Sequence, residues 1–154
     1  MKTYATLIAE AQPRIRESMP WDLVDRLAQE PGPLLLDVRE PAEFSRARID
    51  GSVNVPRGVL EASCDWGYEE TLPELASGRQ RAVVVVCRSG NRSILAADVM
   101  QQMGFIDVVS LQTGVRGWND FEQPLVDAEG HPVDTDTAEP LLASRVRPDQ
   151  LRPG

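Results

Sequence analysis

Lysine is almost missing from this chain, with Lys2 alone against fifteen arginines. We read that bias as coding composition rather than function. Histidine occurs once, as His131, and cysteine twice, as Cys64 and Cys87. Three such side chains are too few for a structural zinc site, which takes four, and two cysteines build no disulfide framework. Positive charge is in deficit as well. A formal net charge of −8 argues against nucleic acid or an anionic membrane as partner. No apolar run reaches the ~20 residues that span a bilayer, and Glu10 and Gln12 interrupt any early segment of signal-peptide character. The expected setting is cytoplasmic, where thiols stay reduced. Internal repeats are absent, so 154 residues read as one domain, long enough to bury a single core.

What the chain does have is concentrated in Ala82-Val83-Val84-Val85-Val86-Cys87-Arg88-Ser89-Gly90-Asn91-Arg92-Ser93. Four β-branched residues in an unbroken apolar run read as a strand buried on both faces, as in a parallel sheet. From Ser93 to Met103, apolar residues at 94, 95, 97, 99, 100 and 103 make a broad helical face. Gly104 at C′, Phe105 at C″ and Met100 at C3 fit a Schellman stop. The unit is strand, loop, helix, with Cys87 at the strand's carboxyl end, where open α/β sheets bind ligands.

The loop chemistry follows. Gly90 and Asn91 tolerate the positive φ of a tight curl. A curled loop turns its N–H groups inward as an anion nest, reinforced by the following helix N-terminus. Arg88 and Arg92 add two full charges, and such surroundings favour a thiolate. Cys87 is therefore the candidate nucleophile, with Arg88, Ser89, Gly90, Asn91, Arg92 and Ser93 as the binding loop. A merely structural cysteine would need none of these neighbours. A loop that wraps tetrahedral phosphate places arginine six positions after cysteine. Here position 93 is serine and the arginine stands at 92. The smaller ring suits a smaller guest, such as one sulfur atom carried on the cysteine.

Cys87 through Ser93 resembles the active-site loop of a rhodanese-family sulfurtransferase. Leu34-Leu35-Leu36-Asp37-Val38-Arg39-Glu40-Pro41-Ala42-Glu43-Phe44, continued by Ile49 to Pro56, resembles the family's first signature, and Leu111 to Trp118 its C-terminal one. The resemblance spans residues 14–123 in family order. It implies an α/β, rhodanese-like three-layer fold with a mostly parallel sheet of about five strands flanked by helices. It further implies sulfur transfer through a Cys87 persulfide, with no cofactor and no metal. A small anionic donor such as thiosulfate, or a persulfide, would load it. A thiophilic acceptor (cyanide in an assay, a thiol or an acceptor protein in the cell) would empty it.

The remaining expectations follow chain order. Residues 1–13 form a helical extension, and Arg14 to Glu17 an edge strand on the strength of the resemblance. Trp21, Leu23, Val24 and Leu27 recur at helical spacing, with Trp21 placed in the core. Asp37 and Arg39 are candidates for the rim of the cleft, or for an ion-pair lattice pinning the loop that follows. Arg48, where many family members carry histidine, can pair with Glu43. Cys64 is a candidate resolving thiol or an idle loop cysteine. Thr113 replaces the first of two family glycines. Residues 124–154 hold five of the twelve prolines, with six acidic residues against three arginines, and read as an extended or disordered tail. Oligomeric state is not legible.

Two rivals come from other classes. A cysteine phosphatase or arsenate reductase is disfavoured by loop length and would turn over phosphate or arsenate without thiosulfate activity. A non-catalytic sulfur carrier or binding module would hold sulfur on Cys87 without turnover.

Overall fold

Val83–Val86 forms the middle strand of a five-stranded sheet in the computed structural model, which describes residues 1–154. Helices occupy Tyr4–Ala11 (α1), Pro20–Leu27 (α2), Pro41–Arg46 (α3), Leu60–Ser63 (α4), Pro73–Ala76 (α5), Asn91–Gln102 (α6), Gly114–Asp120 (α7) and Thr135–Leu142 (α8). Strands are Arg16–Ser18 (β1), Leu34–Asp37 (β2), Val53–Asn54 (β3), Val83–Val86 (β4), Val108–Leu111 (β5), Leu125–Val126 (β6) and Pro132–Val133 (β7). The main sheet runs β1-β5-β4-β2-β3, every pair parallel. This is the three-layer α/β architecture expected.

Side chains alternate across a strand, and both faces of this sheet are covered, which explains its unbroken apolar runs. Val83, Val85, Leu34 and Leu36 face a core with Leu60, Leu75, Ile94, Ala97 and Met100 from α4, α5 and α6. Val84, Val86, Leu35 and Leu111 face a second core with Leu23, Val115, Trp118, Ala138 and Leu142 from α2, α7 and α8. Helix α6 ends as its sequence requires. Phe105 N–H donates to Met100 C=O at 3.1 Å and Gly104 N–H to Gln101 C=O at 3.0 Å, the two bonds of a Schellman stop.

Asp37 and Arg39 are both fully buried and not on a solvent rim. The Asp37 carboxylate accepts from the Arg39 Nε and Nη2 at 2.8–3.1 Å, and from the Arg39 backbone N–H at 3.0 Å. Arg39 Nη2 also donates to the Ala47 carbonyl at 2.7 Å, while Asn54 Nδ2 donates to the carbonyls of Asp37 and Arg39. The pair is the lattice that pins the β2–α3 turn.

Two packing expectations are corrected. Trp21 is 49% exposed and meets Phe121 edge-to-face at 5.7 Å on the surface. Leu23 takes the inward position of α2, and a residue two places away on a helix points elsewhere. The acidic tail is neither disordered nor wholly extended. β6 and β7 pair as a hairpin, and α8 buries Ala138 and Leu142, one helical turn apart, in the second core. The Asp134 carboxylate caps α8 by accepting from Thr137 N–H at 2.7 Å. Trp118 Nε1 donates to Pro124 C=O and Asn119 Nδ2 to Thr135 C=O. Arg48 exchanges backbone bonds with Val126, and its guanidinium stacks on Phe44 and donates to Asp127 C=O. It does not reach Glu43. Beyond α8, residues 143–154 are extended apart from one 3-10 turn at Pro148–Gln150.

Candidate active site

Cys87 follows β4 directly and is 1% exposed. Its Sγ accepts from the N–H of Gly90 at 3.1 Å and of Ser93 at 3.4 Å, and its S–H donates to Ser93 Oγ at 3.4 Å. Ser93 Oγ lies 2.8 Å from Ser110 Oγ, both buried. Hydroxyls rotate, so Ser93 can turn its proton onto a sulfur anion while Ser110 donates to Ser93. Ser110 was missed at the sequence level. Its signal was one polar residue inside the buried run Val108-Val109-Ser110-Leu111.

Backbone geometry builds the nest. Gly90 caps α6 with φ +100°, and its N–H points back at the sulfur. The first turn of α7 holds the loop from the other side, Val115 N–H donating to Cys87 C=O at 2.8 Å and Arg116 N–H to Arg88 C=O at 2.9 Å. A Cβ at Gly114 would stand 2.4 Å from the Cys87 carbonyl oxygen, so only glycine permits that approach. Thr113 lies in the left-handed region, at φ 70°, and Gly117 leaves room for its side chain.

The two loop arginines differ. Arg92 makes a bidentate pair with Glu43, at 2.8 and 2.9 Å. Its hydrogen bonds hold the Glu43 carboxyl down at about 2, and the same pair raises the Arg92 guanidinium. Arg92 thus fastens α6 to α3, and its charge is largely spoken for. Arg88 is half-buried and has no carboxylate partner. Ser89 and Asn91 are exposed on the loop. Helix α1 lays Tyr4 within electrostatic reach of Cys87, and burial raises its phenol.

A depressed carboxylate contributes stability that is present above its unfolded value and lost as pH falls through its folded one. For Glu43 that window runs from 4.5 down to about 2. The pair is partly exposed, so the contribution is about 1 kcal/mol or less. Thermal melts across this window should fall more steeply for the parent than for Glu43→Gln; parallel curves would contradict the pairing.

Cys64 is fully buried, and burial pushes its thiol up to about 11. The raised thiol, with no N–H group directed at its sulfur, favours the idle-cysteine reading over the resolving one. Two cavities flank the loop. One, about 250 Å³, is lined by Ile8, Gln12, Glu17, Ser89, Gly90 and Asn91 among others. The other, about 320 Å³, lies between Arg88 and the tail.

A cysteine at the carboxyl end of a parallel strand, its sulfur held by loop N–H groups ahead of a helix, marks the candidate site of this α/β fold. The chain matches the rhodanese-like domain over residues 20–121 and belongs to that family. It is 32% identical over 108 residues to a sulfurtransferase of Allochromatium vinosum, covering 70% of this chain and 92% of the relative. It is 31% identical over 103 residues to a protein of Schizosaccharomyces pombe provisionally named a mitochondrial thiosulfate sulfurtransferase, covering 65% and 72%. Other relatives are longer, and the chain spans 40% of one and 21% of another. Among solved structures, a Rhodopseudomonas palustris protein of unknown function, with tyrosine phosphatase activity suggested, aligns with a TM-score of 0.73 and 26% identity. That alignment covers 80% of this chain and 94% of the other. No helix is long and apolar enough to cross a membrane.

Proposed function

We propose that this protein is a sulfurtransferase that carries sulfane sulfur on Cys87. The observation behind the reading is the sulfur's position, buried at the strand end with the Gly90 and Ser93 N–H groups directed at it. The Cys87 thiolate attacks the outer sulfur of thiosulfate, the S–S bond to the sulfite group breaks, and sulfite leaves with the electron pair. Cys87–S–S⁻ remains. An acceptor, cyanide or a thiolate, then attacks the terminal sulfur and frees the Cys87 thiolate. This is covalent catalysis with ping-pong kinetics. Preorganised N–H donors stabilise the persulfide anion as an oxyanion hole stabilises oxygen. The reading requires no cofactor and no general base. Supporting it against phosphoryl transfer is the loop, one residue short of the phosphate-wrapping length. The test is incubation with thiosulfate. The protein should gain one sulfur mass on the Cys87 peptide, and cyanide should remove it as thiocyanate; loading that never turns over would make the protein a carrier.

Donor recognition falls to Arg88 rather than Arg92, the reverse of the order that proximity to the helix suggests, because Glu43 neutralises Arg92. A charge-assisted contact contributes about 1.5–3 kcal/mol. Arg88→Ala should therefore raise the KM for thiosulfate roughly tenfold with kcat little changed. Arg92→Ala should mainly lower kcat and Tm by loosening the loop. Steady-state kinetics and thermal melts on both variants decide it, and a larger KM effect at Arg92 would overturn the assignment.

A further inference from the structure

The 320 Å³ cavity beside the loop is lined by Arg46, Arg88, Pro140, Leu141, Ala143 and Arg145. Three of the six lining residues are arginines, from three parts of the chain: the end of α3, the Cys87 loop, and the segment after α8. None has a carboxylate partner, although Asp and Glu outnumber Lys and Arg by 24 to 16 and eight other arginines are paired. No acidic residue lines the cavity. Arg145 is held in place by donating from Nη2 to the Pro140 carbonyl at 3.1 Å. The other cavity at the loop is lined by Glu17 and by no cationic side chain, so of the two it is this one that gathers positive charge. Its volume lies at the small-ligand end of the usual range and exceeds what one sulfur atom needs. Arg145 and the α8 segment lie beyond residue 121, outside the part of the chain that matches the family domain.

We infer that Arg46 and Arg145 join Arg88 in one anion site, which in the second half-reaction holds the carboxylate or sulfonate arm of the thiol that accepts sulfur from Cys87. The inference rests on the sulfurtransferase reading for the reaction, though not for the binding. In the step it serves, the thiolate RS⁻ attacks the outer sulfur of Cys87–S–S⁻. One S–S bond forms, another breaks, and RSS⁻ leaves with the Cys87 thiolate restored, so charge and electrons balance with no further reagent. Like charges otherwise keep an anionic thiol away from an acidic protein, and the three arginines offset that locally.

The test uses Arg46→Gln combined with Arg145→Gln in the full chain; both residues are exposed and neither belongs to the catalytic loop. With thiosulfate as donor, mercaptosuccinate, 2-mercaptoethanesulfonate and 2-mercaptoethanol are compared as acceptors. The double variant should raise the KM for mercaptosuccinate about tenfold, leave kcat within about twofold, and leave 2-mercaptoethanol unchanged. An equal response to the sulfonate means that the site reads charge. A response to mercaptosuccinate alone means that it reads carboxylate. Equal losses with 2-mercaptoethanol, or no loss with either anion, would overturn the proposal. Binding is also measured without turnover, by calorimetry with methylthiosuccinate, which should bind the parent saturably and the double variant about tenfold more weakly. Binding without any sulfur transfer would retire the enzymatic reading and keep the site. Sulfur transfer without such binding would retire the site alone.

Discussion

Cys87→Ser should reduce thiocyanate formation from thiosulfate and cyanide to background, a loss of at least about 10⁴-fold, the scale seen when a covalent nucleophile is removed. Serine is close to cysteine in size, and its hydroxyl can still accept from the Gly90 and Ser93 N–H groups. The α6 N-terminus therefore stays in place. What vanishes is the nucleophile. A serine hydroxyl beside these N–H donors remains protonated, and it cannot form the S–S bond that stores the transferred atom. Tm should stay within a few degrees of the parent, so the lost activity is separable from unfolding. Mass spectrometry should find no added sulfur on the variant. Thiocyanate produced at even a few per cent of the parent rate would mean that sulfur is carried elsewhere.

The second large effect falls on stability. Arg39→Ala should destabilise the fold by about 3–5 kcal/mol, because it leaves the Asp37 carboxylate buried without its cation. That is a large fraction of the ~5–15 kcal/mol that holds a typical domain together. The same change frees the Ala47 carbonyl from its donor. Arg39→Lys should recover only part of the loss, since a lysine ammonium cannot reproduce the fork that grips Asp37 through Nε and Nη2. Replacing both partners by apolar residues should cost less than Arg39→Ala alone. Denaturant midpoints for the three variants measure this. A loss below about 1 kcal/mol for Arg39→Ala would show that water reaches the pair.

The strand–loop–helix unit that carries Cys87 was legible because its determinants are local. Val83–Val86 can only be a doubly covered strand, Gly90 allows the left-handed cap, and Met100, Gly104 and Phe105 spell the helix stop within six positions. The same locality placed Cys87 at the strand end. The family resemblance supplied the β1 edge strand, which propensity left neutral.

What misled were pairings across the chain. Glu43 lies five residues from Arg48 and forty-nine from Arg92, and sequence proximity favours the wrong partner. The folded geometry brings α3 against the start of α6 and gives Glu43 to Arg92, while Arg48 turns to Phe44 and the tail. Trp21 looked like core because it shares a helix with Leu23, and only the direction of α2 decides which faces inward. The tail looked unstructured on composition, yet Ala138 and Leu142 join the second core where α8 packs on α7, and the β6–β7 hairpin ties it to Arg48.

The sequence alone therefore determined the alternation of strands and helices, the loop, and the place of Cys87 at its start, since those rest on backbone preference and on spacings of a few residues. Tertiary structure alone decided which arginine lacks a carboxylate partner, which cysteine has N–H groups aimed at its sulfur, and where the tail lies. Each of those depends on burial and on partners that the chain brings together only by folding.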